Sequence, residues 1–156
     1  MSYLRRFAAL ALGAGCATIL SAQPAKPPKE PARIDISVSP EAVAAGADAT
    51  VIVQIVPKDG IKVNRYPKIK LEVPAQPGLV AEARAEVGND RPPPPDQMDT
   101  NYYKSVDPVE LRLRVDGSAT SGTHEVPGRL TYFYCVAASG FCAPHRMDVT
   151  IPVAVR

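Results

Sequence analysis

The chain has 156 residues, and its 18 Lys and Arg residues nearly balance 16 Asp and Glu residues, for a formal net charge of +2. Such a balance gives no sign of the extended basic surface that attracts nucleic acid or an anionic membrane. No Ser–His–acid arrangement, glycine-rich phosphate loop or carboxylate pair stands out, so the sequence gives no support for hydrolysis or phosphoryl transfer.

The amino-terminal residues have the order of a secretory signal peptide. Arg5 and Arg6 precede an apolar run without a charge, and the small residues Ser21 and Ala22 follow it. This run is too short and wrongly flanked for a membrane span. We therefore expect residues 1–22 to be removed after Ala22, and the mature chain to function in the periplasm or another exported compartment.

Removal of the signal peptide changes both the charge and the cysteine count. The 134 residues that follow carry 16 basic and 16 acidic side chains and are enough for one domain with a hydrophobic core. Of the three cysteines, Cys135 and Cys142 remain, and an even number in an oxidising compartment predicts a disulfide. Lipidation at Cys16 is the alternative fate of the amino end, although Gly13 stands where a lipoprotein signal has an aliphatic residue.

The mature chain begins with a tether and continues as a series of short strands. Residues 23–32 hold four prolines and predict a semi-rigid extended segment. Apolar and polar residues then alternate, or β-branched residues cluster, in several segments bounded by Gly and Pro, which predicts strands. The predicted strands are residues 33–38, 50–56, 68–73, 79–87 and 109–115, with residues 61–67 extended but irregular.

The longest segment without such a pattern covers residues 88–105. Four consecutive prolines, Pro92 to Pro95, force polyproline II geometry there and exclude the interior of a sheet. Loops of this length inside a compact domain are often functional. We expect no helix in the chain, and the total of about seven or eight strands predicts an all-β sandwich.

The carboxyl-terminal block, LTYFYCVAASGFCAPHRMDVTIPVAV, contains both remaining cysteines. Residues 130–135 and 149–155 alternate as strands, so we expect Cys135 and Cys142 to occupy the connection between two strands. A bond across this short loop would contribute roughly 2–3 kcal/mol as a structural staple. The small residues of the loop would also admit a partner's thiolate, and a protonated His145 would favour a thiolate nearby. Both roles remain open at this stage.

A metal site is a third possibility for the same block. Cys135, Cys142, His145 and Met147 supply soft and borderline ligands of the kind that copper prefers. Disulfide formation competes with this site, because the thiolates are then no longer available. We therefore expect no metal and no cofactor.

YFYC, followed by ASGFCAPH and a final strand, resembles the amino-terminal periplasmic domain of the transmembrane thiol:disulfide interchange reductase, the DsbD family. SPEAVAAGADATVIVQIVPKDGIKVNRYP is similar to the opening strands of that domain, and the resemblance covers residues 33–156. It implies an immunoglobulin-like β-sandwich. The membrane and thioredoxin-like domains that normally follow in the family are not in this sequence, so we expect a stand-alone domain. The sequence departs from the family pattern in having six residues between the cysteines, one more than usual, and in His145, where a second proline is frequent.

The resemblance also implies a set of site residues. Cys135 and Cys142 would be the redox pair, beside Phe141 and His145. A cap loop would cover the pair with Tyr102 and Tyr103, and Asp99 would be the nearest acidic residue. Asn101 stands where the family's cap carries a phenylalanine.

The function that the resemblance implies is a relay of reducing equivalents. The domain would take electrons from a membrane thiol:disulfide transporter and pass them to thioredoxin-like periplasmic proteins, as a protein-disulfide reductase component. The alternative is a non-catalytic binding or scaffold sandwich in which the bond between Cys135 and Cys142 is only structural.

Overall fold

A computed structural model describes residues 27–156, and within this range the chain forms eight β-strands and one short 3-10 helix. The predicted signal peptide, Cys16 and the first residues of the tether lie outside the described residues. No helix within the described range is long and apolar enough to cross a membrane. The strands are β1 (Ala32–Ser39), β2 (Asp48–Pro57), β3 (Ile61–Val63), β4 (Ile69–Val73), β5 (Ala83–Val87), β6 (Val109–Arg114), β7 (Gly122–Val136) and β8 (Cys142–Val155), and the 3-10 helix is Pro95–Asn101.

The strands form two antiparallel sheets. One sheet has three strands in the order β1-β2-β6. The other has five: β7 pairs with β8 along one edge, while β3 and β4 pair with successive parts of its other edge and β5 pairs with β4. The prediction of an all-β sandwich of about eight strands is confirmed.

Alternating side chains build the core between the two sheets. In β6, Val109, Leu111 and Leu113 are buried, whereas the residues between them are exposed. The same period of two follows from the pleat of every strand, which points successive side chains to opposite faces. Each large aliphatic side chain buried in this way contributes about 1.5–3 kcal/mol relative to an exposed one. The long hairpin of β7 and β8 is thereby fixed with one face on the core and one face outward.

Three segments differ from the sequence-based expectation. Only Ala83–Val87 of the predicted strand 79–87 forms a strand, whereas Val80 makes isolated bridges with Gln76 and Val115. Only the first three residues of segment 61–67 form a strand, β3. The long loop, residues 88–105, contains the 3-10 helix, which the sequence did not predict; a proline in its first turn supplies the helical φ angle.

Cys135 and Cys142 lie inside strands, and not in the connection where we expected them. β7 continues to Val136 and β8 begins at Cys142, so the connection is only residues 137–141. The strand pairing extends this far because Val136 N donates to the Phe141 carbonyl at 2.8 Å. The two cysteines are therefore held at fixed positions by a sheet on one side and a tight turn on the other.

Candidate functional site

The closed end of the β7–β8 hairpin carries the disulfide. Cys135 and Cys142 are direct cross-strand partners, with Cα atoms 4.0 Å apart, and their sulfurs are bonded. The turn beyond them is tight: Gly140 N donates to the Val136 carbonyl at 2.9 Å, and Gly140 has a φ of 68°. This left-handed conformation favours glycine, because a side chain there would be strained. The turn fixes the register that brings the two sulfurs together.

The two halves of the disulfide differ in exposure. Cys135 is only 4% exposed, whereas Cys142 is an exposed residue. Both side chains point to the outer face of the five-stranded sheet, since Tyr132 and Tyr134 of the same strand face the core. Cys135 is therefore buried by something that covers the sheet from outside. A thiol from solvent can approach the sulfur of Cys142 but not that of Cys135.

Tyr102, from the long loop, covers Cys135. Its Oη lies 3.6 Å from Cys135 Sγ, within reach of a hydrogen bond from the phenol to the sulfur. Asn64 Oδ1 lies 3.5 Å from the same sulfur. The sulfur of a disulfide has no proton to donate, so the contact with Asn64 becomes a hydrogen bond only when Cys135 is a thiol. Cys135 thus has a donor beside it in the oxidised form and an acceptor for its proton in the reduced form.

Lys62 adds a positive charge to the surroundings of Cys135. It is the partner of Cys135 in the pairing of β3 with β7, and its Nζ lies 4.9 Å from the centre of the Tyr102 ring. An ammonium group over an aromatic ring is a favourable cation–π contact. A nearby cation and a hydrogen-bond donor both stabilise a thiolate over a thiol. Lys62 and Tyr102 thus favour negative charge on Cys135, whereas the burial of Cys135 and the acceptor Asn64 favour its neutral thiol.

The backbone of Arg65 anchors both ends of the long loop. Asn89 N donates to the Arg65 carbonyl at 2.8 Å, and Arg65 N donates to the Asn101 carbonyl at 2.6 Å. Gly88 allows this close approach, because a Cβ atom there would lie 2.2 Å from the Arg65 carbonyl oxygen. The loop is therefore held to the sheet at both ends.

The side chain of Asn101 completes the attachment. It is 5% exposed, its Oδ1 accepts a hydrogen bond from Tyr66 N, and its Nδ2 donates to the Tyr66 carbonyl, both at 2.9 Å. These two hydrogen bonds between the Asn101 amide and the Tyr66 backbone resemble the two that join paired residues in neighbouring strands. The bridge between Asn64 and Tyr102 follows directly, and Tyr103 N donates to the Val63 carbonyl at 2.9 Å. Asn101 thus sets the position from which Tyr102 reaches the sulfur.

The other predicted cap residues lie elsewhere. Tyr103 is 9% exposed and belongs to the hydrophobic core, where burial raises the pKa of its phenol. The guanidinium carbon of Arg65 lies 4.6 Å from the centre of its ring. Asp99 is exposed in the 3-10 helix and lines an open depression together with Tyr102. Of the two tyrosines proposed to cover the sulfurs, Tyr102 contacts Cys135.

Phe141 and His145 lie on the face of the hairpin that carries Tyr132 and Tyr134, opposite to the face of the sulfurs, and Phe141 is 38% exposed. The Phe141 ring lies 6.4 Å from that of Tyr134, and the His145 ring lies 5.3 Å from that of Tyr132. Burial lowers the pKa of His145, and the charge of Glu30 opposes this only in part. His145 is therefore neutral at pH 7 and is not placed to stabilise a thiolate.

The alternation of side chains along the hairpin also places the four candidate copper ligands on opposite faces of the sheet. Cys135 and Cys142 point outward, whereas His145 and Met147 point to the core side of the hairpin. Residues 27–156 contain no group of three or more His, Cys, Asp and Glu side chains that is arranged to hold a metal ion.

Lys62, Asn64 and Asn101 were not predicted as site residues. Lys62 and Asn64 alternate with Val63 in a segment that the sequence marked only as extended. Their importance follows from the pairing of β3 with β7, which no local pattern specifies. Asn101 stands out in the sequence only as the replacement of the phenylalanine that the DsbD family's cap carries.

The sequence matches no protein-family model, and a search of curated proteins finds no match.

Proposed function

We propose that this protein is an exported thiol:disulfide interchange domain that relays reducing equivalents through Cys135 and Cys142. The observation that carries the proposal is the asymmetry of the bond: one sulfur is exposed, and the other is buried beside a phenol and opposite a lysine. A staple requires only that the two cysteines meet. The Tyr102 phenol and the Lys62 ammonium would, in addition, stabilise Cys135 when it leaves as a thiolate.

The exchange begins at Cys142. A partner's thiolate attacks Cys142 Sγ and forms a mixed disulfide with it, while the bond between Cys135 and Cys142 breaks. The electron pair of that bond leaves on Cys135 as a thiolate, which the Tyr102 phenol and the Lys62 ammonium stabilise. Since a leaving thiol of lower pKa departs faster, both groups accelerate this step.

A second thiolate on the partner completes the transfer. It attacks the partner's own sulfur in the mixed disulfide and releases Cys142 as a thiolate. The partner leaves oxidised, and the domain keeps two electrons and, after protonation, two thiols. Asn64 then accepts a hydrogen bond from the Cys135 thiol. The reverse sequence delivers the electrons to another disulfide.

The order of the amino-terminal residues and the resemblance to the DsbD family support the choice of compartment and partners. We place the domain in the periplasm or a similar exported compartment, between a membrane thiol:disulfide transporter and thioredoxin-like proteins. The two proteins would use the same exposed sulfur in turn. No bound cofactor is needed, since thiolate and disulfide supply all the electrons.

Single-cysteine variants test the proposal. Cys135→Ser leaves the exposed Cys142 without its resolving partner, so it should accumulate a mixed disulfide with a thioredoxin-like protein in the exported compartment. Cys142→Ser leaves only the buried Cys135 and should trap far less. The double variant is the control, and dithiothreitol should release the captured protein.

A structural staple gives a different result in the same experiment. Both single variants would then lose roughly 2–3 kcal/mol of stability and trap nothing reproducibly. The reduction potential gives a second readout, because structural disulfides lie below about −300 mV and exchanging ones above it. Loss of stability without capture, together with a low potential, would leave a binding or scaffold sandwich.

A further inference from the structure

The exposed sulfur lies in a row of side chains across three strands. Lys62 of β3 is paired with Cys135 of β7, which is paired with Cys142 of β8. All three point to the outer face of the sheet. A partner that reaches Cys142 therefore covers part of this face, and the residues around the row decide which partner fits.

Apolar side chains lie next to the row. Phe133 and Pro144 are cross-strand partners one step further along the outer face, with Phe133 partly buried and Pro144 exposed. Tyr102 pairs with Asn64 of β3, and its ring lies against Cys135 and Lys62. The exposed sulfur is thus flanked by a small apolar patch, which is the usual centre of a protein interface.

Cations surround this patch. Arg146 follows Pro144 on the outer face of β8, and Lys62 lies in the row with the disulfide. Arg65 and Lys104 line a depression of about 790 Å³ that Tyr102 and Lys62 also line. Within the described part of the chain, none of these four side chains forms an ion pair with a carboxylate.

Carboxylates are few around the patch. Asp99 is the acidic residue that lines the depression. Further along the outer face of β4, β7 and β8, the first acidic side chains are Glu72 of β4 and Asp148 of β8. Glu72 forms an ion pair with Arg84, and Asp148 forms one with Arg129. Asp59 and Asp107 line a second depression, which Lys62 and Lys104 also line but Tyr102 does not.

We infer that the surface formed by Phe133, Pro144, Tyr102, Lys62, Arg65, Lys104 and Arg146 docks an acidic protein surface that presents the exchanging thiol. The inference rests on the proposed function and adds the charge of the partner to it. The chain from residue 23 onward has equal numbers of basic and acidic side chains, so the unpaired cations here are a local concentration and not a property of the whole molecule. Complementary charge accelerates encounter and rejects partners of the wrong sign.

Three matched peptides test the charge preference without a natural partner. They are acetyl-Glu-Cys-Glu-amide, acetyl-Gln-Cys-Gln-amide and acetyl-Lys-Cys-Lys-amide, each used to reduce the disulfide of the full mature domain. The rate constants are divided by the thiolate concentration of each peptide. At low salt, the acidic peptide should react about fivefold faster than the neutral one and the basic peptide correspondingly slower. The differences should largely disappear in 0.5 M NaCl, since salt screens exposed charges.

Charge variants locate the effect. Lys104→Gln with Arg146→Gln should remove most of the preference for the acidic peptide. Arg33→Gln with Arg112→Gln removes the same charge from β1 and β6 of the other sheet and should leave the preference intact. Neither pair contains a residue that contacts a sulfur in the structure.

The outcomes separate this inference from the proposed function. Equal rates for the three peptides at low salt, in a disulfide that does exchange, overturn the acidic partner and leave the interchange function standing. The acidic partner is also overturned if both variant pairs reduce the preference for the acidic peptide equally. The preference would then come from the net charge of the whole molecule and not from this surface. A disulfide that none of the peptides reduces overturns the proposed function itself.

Discussion

The Oη atom of Tyr102 lies 3.6 Å from Sγ of Cys135, although 33 positions separate the two residues in the chain. Their contact depends on three earlier steps: the pairing of β3 with β7, the bridge from Asn64 to Tyr102, and the attachment of the loop at Asn101. The result is a disulfide with one protected and one accessible sulfur. Each of the following predictions disturbs one step of this arrangement.

Two substitutions at Tyr102 separate its two roles. Tyr102→Ala removes the cover, so small thiols should reach Cys135 and reduce the disulfide several-fold faster. Tyr102→Phe keeps the cover and removes only the donor, so the leaving thiolate loses a hydrogen bond and reduction should slow by about three- to tenfold. Stopped-flow measurement of reduction by dithiothreitol distinguishes the two. If both variants react at the rate of the unmodified protein, Tyr102 neither covers nor activates the bond.

Tyr103 is the natural comparison for Tyr102, because the resemblance to the DsbD family implied both as cap residues. Its ring is in the core, so Tyr103→Ala should cost about 3–5 kcal/mol in the free energy of unfolding, the usual cost of deleting a large aromatic side chain. Tyr102→Ala, from a partly exposed position, should cost much less. Urea denaturation of both variants checks this difference.

Asn101 is predicted to hold the loop over the site. Asn101→Ala leaves Tyr66 N and the Tyr66 carbonyl without their side-chain partners, which should cost about 1–3 kcal/mol. The loop should then open more often, so proteases should cut between residues 88 and 105 and reduction of the disulfide should accelerate. Thr100→Ala, at an exposed neighbouring position, is the control and should change neither rate. A protease-resistant Asn101→Ala variant would contradict this account of the loop.

Local patterns predicted most of the strands but not the site. The alternation of β6 is visible in its sequence, since every second residue is aliphatic and the others are charged. The disulfide was predicted from the expected export and from the count of two remaining cysteines. The roles of Tyr102 and Tyr103 could not be separated in this way, because adjacent residues in an extended segment differ only in the side to which they point, and distant pairing sets that side.

The same limit explains why the start of β8 was predicted too late, at residue 149 and not at Cys142. Residues 142–148 are mostly polar or proline-containing, so they resemble a loop when considered alone. They form a strand because β7 opposite them is continuous and offers a partner at every position. Pairing between distant segments overrides a weak local preference.

The hydroxyl of Tyr132 provides a prediction about stability. The side chain is fully buried, and its oxygen has no hydrogen-bond partner among the described residues. A buried polar group without a partner is unfavourable, so Tyr132→Phe should raise the free energy of unfolding by about 1 kcal/mol. Tyr102→Phe, which removes a hydroxyl that contacts a sulfur, should not stabilise the domain. Destabilisation by Tyr132→Phe would show that the hydroxyl has a partner in solution.

The partly buried His145 leads to a prediction about how the free energy of unfolding depends on pH. Burial against Tyr132 lowers the pKa of His145 below its ordinary value of 6.5, so the unfolded chain binds a proton more readily than the folded one. The contribution of the neutral imidazole to stability is therefore complete above pH 6.5 and is lost as the pH falls through the lower folded pKa. His145→Phe keeps an aromatic ring without a titrating group, so its stability should fall less between pH 7.5 and 5.5 in urea denaturation. Because His145 faces away from the sulfurs, the rate of thiol exchange, corrected for thiolate concentration, should have the same pH profile in both proteins. A changed exchange profile in His145→Phe would mean that the histidine acts on the disulfide after all.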